Sequence, residues 1–476
     1  MKPRTRAVVI AMLAVALVAV VAYVAISQFA RVQPPQAVDS DSLRAAITTE
    51  RLVQHLDALQ QIADDHDGNR QAGTAGHAAS MDYVEAQLKA AGHAVVRQEF
   101  SFGRAQMRGR VVSASSSTNY RLGTDFTLMQ NSGSGSVTAP VSPVDLALDG
   151  GEVTSGCEAS DFAGFARGSI ALVQRGTCQF AVKVEHAQQA GAAAVVVLNQ
   201  GDTDDRRGLF DGTLRDATSL PVLAVTYDVG VAWASTPTTL TLEVDATPEI
   251  VTTANLIADT PGNPDRTIVV GAHLDSVASG PGINDNGTGV AAMLETATQL
   301  GRLDVQPVNR VRFAFWSGEE DGLLGSRHYV DGLDEAGRRA TALYLNLDMV
   351  GSPNPVPHVY GDPGWPRGSE VVQSVLADHL AAQGVRADEV SFEISDHGPF
   401  LDAGIPVGGL YTGAFELKTA GEAADFGGEA DAPRDPCYHE ACDIADTIDT
   451  EMLTQMARTT AHAVLAFAEA SDLALR

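Results

Sequence analysis

Apolar residues recur along the chain at two kinds of interval. From Asp39 to Gly92 the spacing is helical: Leu43, Ile47, Leu52, Leu56 and Leu59 fall three to five apart, and Tyr83, Leu88 and Ala91 continue the series. Alternation takes over from Val95 to Phe102 and predicts a strand. The Ser- and Gly-rich run Asn131 to Ser136 marks a loop and a domain boundary. Between Thr138 and Asp245, the runs Ser169–Val173 and Ala193–Leu198 read as buried strands flanking a helix from Phe180 to Gly191, with Pro221–Val225 as a further strand. From Glu249 onwards apolar strands alternate with helical segments, the pattern of an α/β sandwich. Its helices include Val290 to Leu300 and an amphipathic C-terminal stretch from Met452 to Ala468.

The first thirty residues differ in kind. Lys2, Arg4 and Arg6 precede an uncharged apolar run from Ala7 to Ile26, followed by Arg31 and Pro34-Pro35. A basic start and an apolar stretch mark an export signal, and this run is about as long as a membrane span, which needs roughly 20 residues. It reads as a signal cleaved near Ala25-Ile26-Ser27 or as an uncleaved N-terminal anchor, the only route to a membrane that the sequence offers. Either way the remainder is expected outside the cytoplasm, in a periplasm or beyond the cell.

Composition narrows the class. With 45% hydrophobic and 19% charged residues in 476, the chain is that of a folded protein of two or three domains. Sixty acidic side chains against 32 basic ones, a net charge of -28, exclude nucleic acid as a partner, because no basic excess can neutralise phosphates. Four cysteines, Cys157, Cys178, Cys437 and Cys442, read in an exported chain as two disulfides, local pairing being the simplest of three connectivities.

Three predicted strands end on residues that carry chemistry. Ile268–Val270 leads to His273 and Asp275, the alternating Val311, Phe313 and Phe315 lead to Glu319 and Glu320, and Leu343–Leu347 leads to Asp348. In open α/β sheets the ligand crevice lies beyond the carboxyl ends of the strands. Asp285 follows in a turn-rich loop before a helix, and His439 lies between Cys437 and Cys442. Gathering several carboxylates is unfavourable unless cations compensate them, and imidazole with carboxylate oxygen is the donor set of hydrolytic zinc. Composition does not say which of Glu319 and Glu320 would bind metal.

These motifs resemble two known families. Ile170 to Cys178, Phe180, Lys183, Ala187 and Ala190-Gly-Ala-Ala resemble the protease-associated domain, a small α/β insert of extracellular peptidases. Ala272-His-Leu-Asp-Ser276, Gly282 to Gly289, Ser317-Gly-Glu-Glu320, Asn346-Leu-Asp348, Ser395-Asp-His397 and Cys437-Tyr-His439 resemble, in order, the co-catalytic di-zinc aminopeptidases of metallopeptidase family 28. The resemblance implies two zinc ions: Asp285 bridges them, His273 and Asp348 complete one ligand set, and Glu320 and His439 the other. It also implies Glu319 as general base for metal-activated water, Asp275 as the carboxylate holding the His273 ring, and Tyr438 as donor to the oxyanion. His397 would support the site rather than bind metal, and Ile394 replaces an arginine that some relatives carry.

The expectation is therefore a mixed-sheet zinc peptidase sandwich with helices on both faces and a small inserted α/β protease-associated domain. The expected organisation is 1–30 signal or anchor, 39–135 first part of the peptidase domain, 138–245 insert, and 249–476 catalytic portion. Its expected activity is that of an exported monomeric aminopeptidase acting on peptides with a free N-terminus. The alternatives are a dipeptidase, a carboxypeptidase-like or glutaminyl-cyclase-like enzyme of the same fold, or a metal-free binding module.

Overall fold

The computed structural model describes residues 41–473 except 105–107, 114–117, 149–152, 204–205, 211, 215–216 and 392–394. Residues 1–30, with the expected signal or anchor, and Ile394 lie outside the described residues. Among those described, no helix is long and apolar enough to cross a membrane. The chain divides into two compact units, one made of the residues up to Phe102 and from Thr252 on, the other of Gly103–Val251.

The first unit is built on an eight-stranded mixed sheet. Its order is Ala94–Arg104, Glu249–Asp259, Asn309–Trp316, Asn263–His273, Thr341–Leu347, Val407–Tyr411, His358–Tyr360, Asp388–Val390. The four central strands, from Asn309–Trp316 through Val407–Tyr411, run parallel. Glu249–Asp259 and His358–Tyr360 pair antiparallel with this block. The period-two pattern shows directly in which cluster each side chain joins. Ile268, Val270, Ala272, Val311, Phe313, Phe315, Leu343 and Leu345 pack into the large core. Their neighbours Val269, Ala314, Trp316 and Tyr344 enter a smaller core on the opposite face.

Helices cover both faces, as the sequence leads one to expect. Gly289–Arg302 is buried along nearly its whole length, which suits a helix packed against the sheet and against the helices Thr49–Asp65, Ala75–Ala90 and Thr450–Glu469. In Thr49–Asp65 the stripe Leu52, Leu56, Leu59 and Ala63 is buried, while residues such as Gln54, Asp57, Gln61 and Asp64 on the other side are exposed. Each such leucine contributes about 1.5–3 kcal/mol by leaving water. The C-terminal helix starts where the Asp449 carboxylate accepts the Met452 N–H at 2.9 Å. On the smaller-core face, a Cβ at Gly271 would collide with the Tyr344 hydroxyl and the Trp316 indole nitrogen, so only glycine lets those rings pass beneath the strand.

The second unit has its own eight-stranded sheet and the helices Phe180–Ala190 and Tyr227–Ser235. Its buried strands Ile170–Gln174, Ala194–Leu198 and Val222–Val225 fall where the apolar runs place them. It begins earlier than the Ser- and Gly-rich run suggests: Arg108–Ser113 joins this sheet by pairing with Thr239–Asp245. Alternation along a strand does not reveal which sheet will accept it. Cys157–Cys178 forms one disulfide here, and Cys437–Cys442 forms the other in the first unit. Beside the former, Lys183 is fully buried, its Nζ donating to the Ser155 carbonyl at 2.5 Å. Burial brings that ammonium down to about 8, against an opposing pull from Asp161 and Glu158.

Candidate metal centre and active site

The central parallel strands deliver the candidate residues at their carboxyl ends. His273 is the last residue of Asn263–His273, Asp348 follows Thr341–Leu347 directly, and Glu319 and Glu320 follow Asn309–Trp316 by three and four positions. Asp285 sits in the turn Ile283–Thr288 that opens the helix from Gly289. His439 comes from the loop closed by Cys437–Cys442, with a backbone φ of 61°, a left-handed conformation that a non-glycine residue keeps only when its surroundings hold it. The Ser279 hydroxyl, donating to the His439 carbonyl at 2.6 Å, is part of that hold.

Asp285 stands between two donor sets. One of its oxygens lies 3.2 Å from His273 Nε2, which is also 3.4 Å from Asp348 Oδ1. Its other oxygen lies 3.1 Å from His439 Nε2, which is also 3.1 Å from Glu320 Oε2. Ligand atoms about 2.1 Å from one tetrahedral zinc stand about 3.4 Å apart, so these separations fit a pair of metal sites sharing a carboxylate. Two buried oxygens, Asp348 Oδ1 and Glu320 Oε1, make no hydrogen bond, as atoms reserved for a cation would. Glu319 is also in reach: an oxygen each from Glu319 and Asp348 and a nitrogen of His273 lie within 4.8 Å of one another.

The electrostatics of the cluster point the same way. Burial, then the Asp285 charge, pushes the Glu320 carboxyl up to about 7. Burial likewise holds the Glu319 carboxyl well above its ordinary range, His273 opposing and Asp396 and Asp348 adding. Burial alone would depress His273, yet Asp348 and Glu319 carry its imidazole well above the usual value. His439, also opposed by burial, is raised to about 10 by Asp285 and Glu320. With protein groups only, the site can neutralise its carboxylates solely by borrowing protons; divalent cations would do so directly.

A supporting shell fixes these groups. Arg70 is fully buried, and its guanidinium donates to the carbonyls of Leu274, of Pro281 at 2.8 Å and of Gly282 at 2.6 Å, tying together the loops that carry His273 and Asp285. The Asp443 carboxylate accepts the N–H groups of Asn284 at 2.6 Å and Asp285 at 3.1 Å. Asp435 accepts the Asn284 side-chain amide at 2.6 Å. A chain of donors runs from the Trp316 indole to the Tyr344 hydroxyl, then to Asn346, then to Ser395, whose hydroxyl donates to Asp348 Oδ2 at 2.6 Å. Sequence reasoning missed Arg70, Asp435, Asp443 and Tyr344. Asp443 adjoins a cysteine that could have drawn attention to it; Arg70 carries no local signal.

Asp275 is fully buried, and its carboxylate accepts the N–H groups of Glu319 at 3.3 Å and Glu320 at 3.4 Å. His273 Nδ1 faces the Asp275 main-chain carbonyl at 3.1 Å, with the carboxylate 4.0 Å away. Asp275 thus anchors the glutamate pair as well as lying beside the imidazole. The Tyr438 ring stacks on His439 with centroids 3.8 Å apart. Burial first, then Asp285 and Glu320, keeps its phenol protonated far beyond neutral pH. His397 is fully buried against Tyr360 and Trp365 and belongs to neither metal-capable group among the described residues.

The fold is an α/β sandwich with an inserted second domain, and its site gathers imidazole and carboxylate donors that could hold metal ions. The profile of peptidase family M28 matches residues 255–464, and that of the PA domain matches residues 137–233. An aminopeptidase of Pseudomonas aeruginosa is 44% identical over 86% of this chain and 79% of its own length. A probable lipoprotein aminopeptidase, LpqL, of Mycobacterium tuberculosis is 38% identical over 92% of this chain and 88% of its own. Among solved structures, an aminopeptidase from Aneurinibacillus sp. strain AM-1 superposes with a TM-score of 0.70 at 25% identity, covering 92% of this chain and 98% of that one. A zinc aminopeptidase from Bacillus subtilis gives 0.67 at 26% identity, covering 88% and 94%. The chain belongs to peptidase family M28, as an aminopeptidase of that family with an inserted PA domain.

Proposed function

We propose that the protein is an exported zinc aminopeptidase that removes N-terminal residues from peptides. His273 and Asp348 would hold one ion and Glu320 and His439 a second, with Asp285, lying between the two donor sets, contributing to both. The observation that carries the reading is Asp285, with one oxygen 3.2 Å from His273 and the other 3.1 Å from His439. Zinc bound there would supply Lewis acidity, bringing a water within reach of deprotonation near neutral pH and polarising the scissile carbonyl.

The chain's own residues do the rest. Glu319 is the general base: it takes the proton of the attacking water and returns it to the leaving amine. Glu320, rather than Glu319, is assigned as ligand because its Oε2 lies 3.1 Å from His439. Asp275 holds both through their N–H groups and so sets their separation. Tyr438, kept protonated, donates to the oxyanion that develops on the carbonyl. The positive α-amino group of a substrate is drawn to the carboxylates of the cluster, which favours a free N-terminus. Two disulfides support the exported compartment.

The test is hydrolysis of a leucyl anilide beside its N-acetylated twin, with and without a chelator. Chelator-sensitive cleavage of the free amine alone is the expected result. Cleavage of neither by zinc-loaded protein would overturn the aminopeptidase reading.

A further inference from the structure

The cavity at the metal centre, about 260 Å³, has a second wall that the reaction itself does not use. Met349, Val390, Ala414 and Phe415 make that wall apolar, and Glu416 is its only carboxylate outside the metal-ligand cluster among the described residues. Glu416 is held in place by neutral donors. The Tyr411 hydroxyl reaches its two oxygens at 2.9 and 3.0 Å, and the Ala414 N–H donates to Oε2 at 2.8 Å. The cations nearest in sequence are engaged elsewhere: buried Lys418 donates to the Pro355 carbonyl at 2.8 Å, and Arg434 pairs with Glu422 at 2.7 Å.

A partly buried carboxylate in an apolar wall, with no counter-ion among the described residues, has lost water and gained no charge in return. It also keeps acceptor capacity, since an ionised carboxylate offers about four lone-pair sites. We propose that Glu416 makes this cavity a subsite for a long basic first residue, lysine or arginine. The apolar wall carries the methylene stem, and the carboxylate takes the cation. Phe415, 64% exposed, adds an aromatic ring to the same cavity wall. The net charge of -28 favours the approach of cationic peptides. This specificity rests on the aminopeptidase reading above.

The experiment compares lysyl and norleucyl anilides, side chains of similar length that differ in the ammonium group, on the zinc-loaded full chain and on Glu416→Gln. Wild type is expected to favour the lysyl substrate. Glutamine keeps a carbonyl oxygen for Tyr411 and Ala414 but loses the charge, so the lysyl-to-norleucyl ratio of kcat/KM is expected to fall about ten- to hundredfold, the worth of one charge-assisted hydrogen bond. A wild-type ratio at or below unity overturns the proposal without any variant, and so does a ratio unchanged in Glu416→Gln. If zinc-loaded wild type cleaves neither anilide, the aminopeptidase reading itself fails and takes this subsite with it. Cleavage of norleucyl anilide without a lysyl preference removes the subsite alone.

Discussion

Arg70→Met tests whether the supporting shell is as consequential as its geometry implies. The guanidinium is fully buried and satisfies three main-chain carbonyls, on the loops that carry His273 and Asp285. Burial brings it down only to about 10, because Asp443, Asp275, Asp285 and Glu320 favour the charged form, so it is a cation at working pH. Methionine keeps an unbranched apolar stem and has no donor. Each buried carbonyl left unpaired costs about 1–3 kcal/mol, less whatever an entering water recovers, and breaking a buried charged cluster typically costs about 3–5 kcal/mol in all. At about 2.1 cal/mol/K of unfolding entropy per residue, a unit larger than about 250 residues moves by a little under 2 °C per kcal/mol, which predicts a fall of roughly 5–8 °C. Calorimetry at one fixed scan rate, on zinc-loaded protein, reads this directly. Arg70→Lys keeps the charge but loses the fork that spans the carbonyls, so it is expected to recover less than half of the loss. A methionine variant melting within about 2 °C of wild type would show that the clamp is incidental.

Glu319→Gln is expected to lower turnover by about 10²–10⁴ or more while zinc content, read by metal analysis, stays normal; a high residual rate at full zinc would mean that the two glutamates exchange roles. Cys437→Ser opens a loop whose closure is worth roughly 2 kcal/mol, yet it frees His439 from its left-handed backbone, so zinc affinity should fall by more than overall stability. Equal zinc content in mutant and wild type under limiting zinc would refute that. Acid should also act away from the site: burial, then His462 and Arg44, lowers His379 to about 4, and its ring lies 4.2 Å from that of His462. The unfolded chain, titrating near 6.5, then takes up a proton before the folded one does, so stability is lost as pH falls from about 6.5 towards 4, by roughly 2–3 kcal/mol. Urea unfolding of His379→Gln at pH 7 and pH 4.5 should show a shallower loss than wild type, and parallel losses would remove this histidine from the account.

Much of this architecture is written locally. Apolar residues two apart around Ile268, Val311 and Leu343 demand strands with a covered face, and the stripe through Leu52, Leu56 and Leu59 demands a helix, because burial is set by the direction in which each side chain leaves its own backbone. His273, Glu319, Glu320 and Asp348 were legible for a related reason: each stands at or just beyond the end of such a strand, so its neighbours along the chain announce it, whereas Asp285 and His439 stand in a turn and a loop and were legible only through their motifs. The two disulfides likewise join the cysteines nearest in sequence.

What tertiary structure alone decided are the contacts between residues with no local tie. Arg70 meets carbonyls more than 200 positions away. Asp443 meets Asn284 and Asp285 from the far end of the chain, and Ser395 links Asp348 through Asn346 and Tyr344 of the strand before it to a tryptophan on another strand. Hydrogen bonds leave no periodicity in a sequence, since one donor and one acceptor suffice and either can be anywhere. The same holds for Arg108–Ser113, whose alternation specifies a strand but not its sheet. Periodicity encodes which way a residue faces; only the folded chain decides what it finds there.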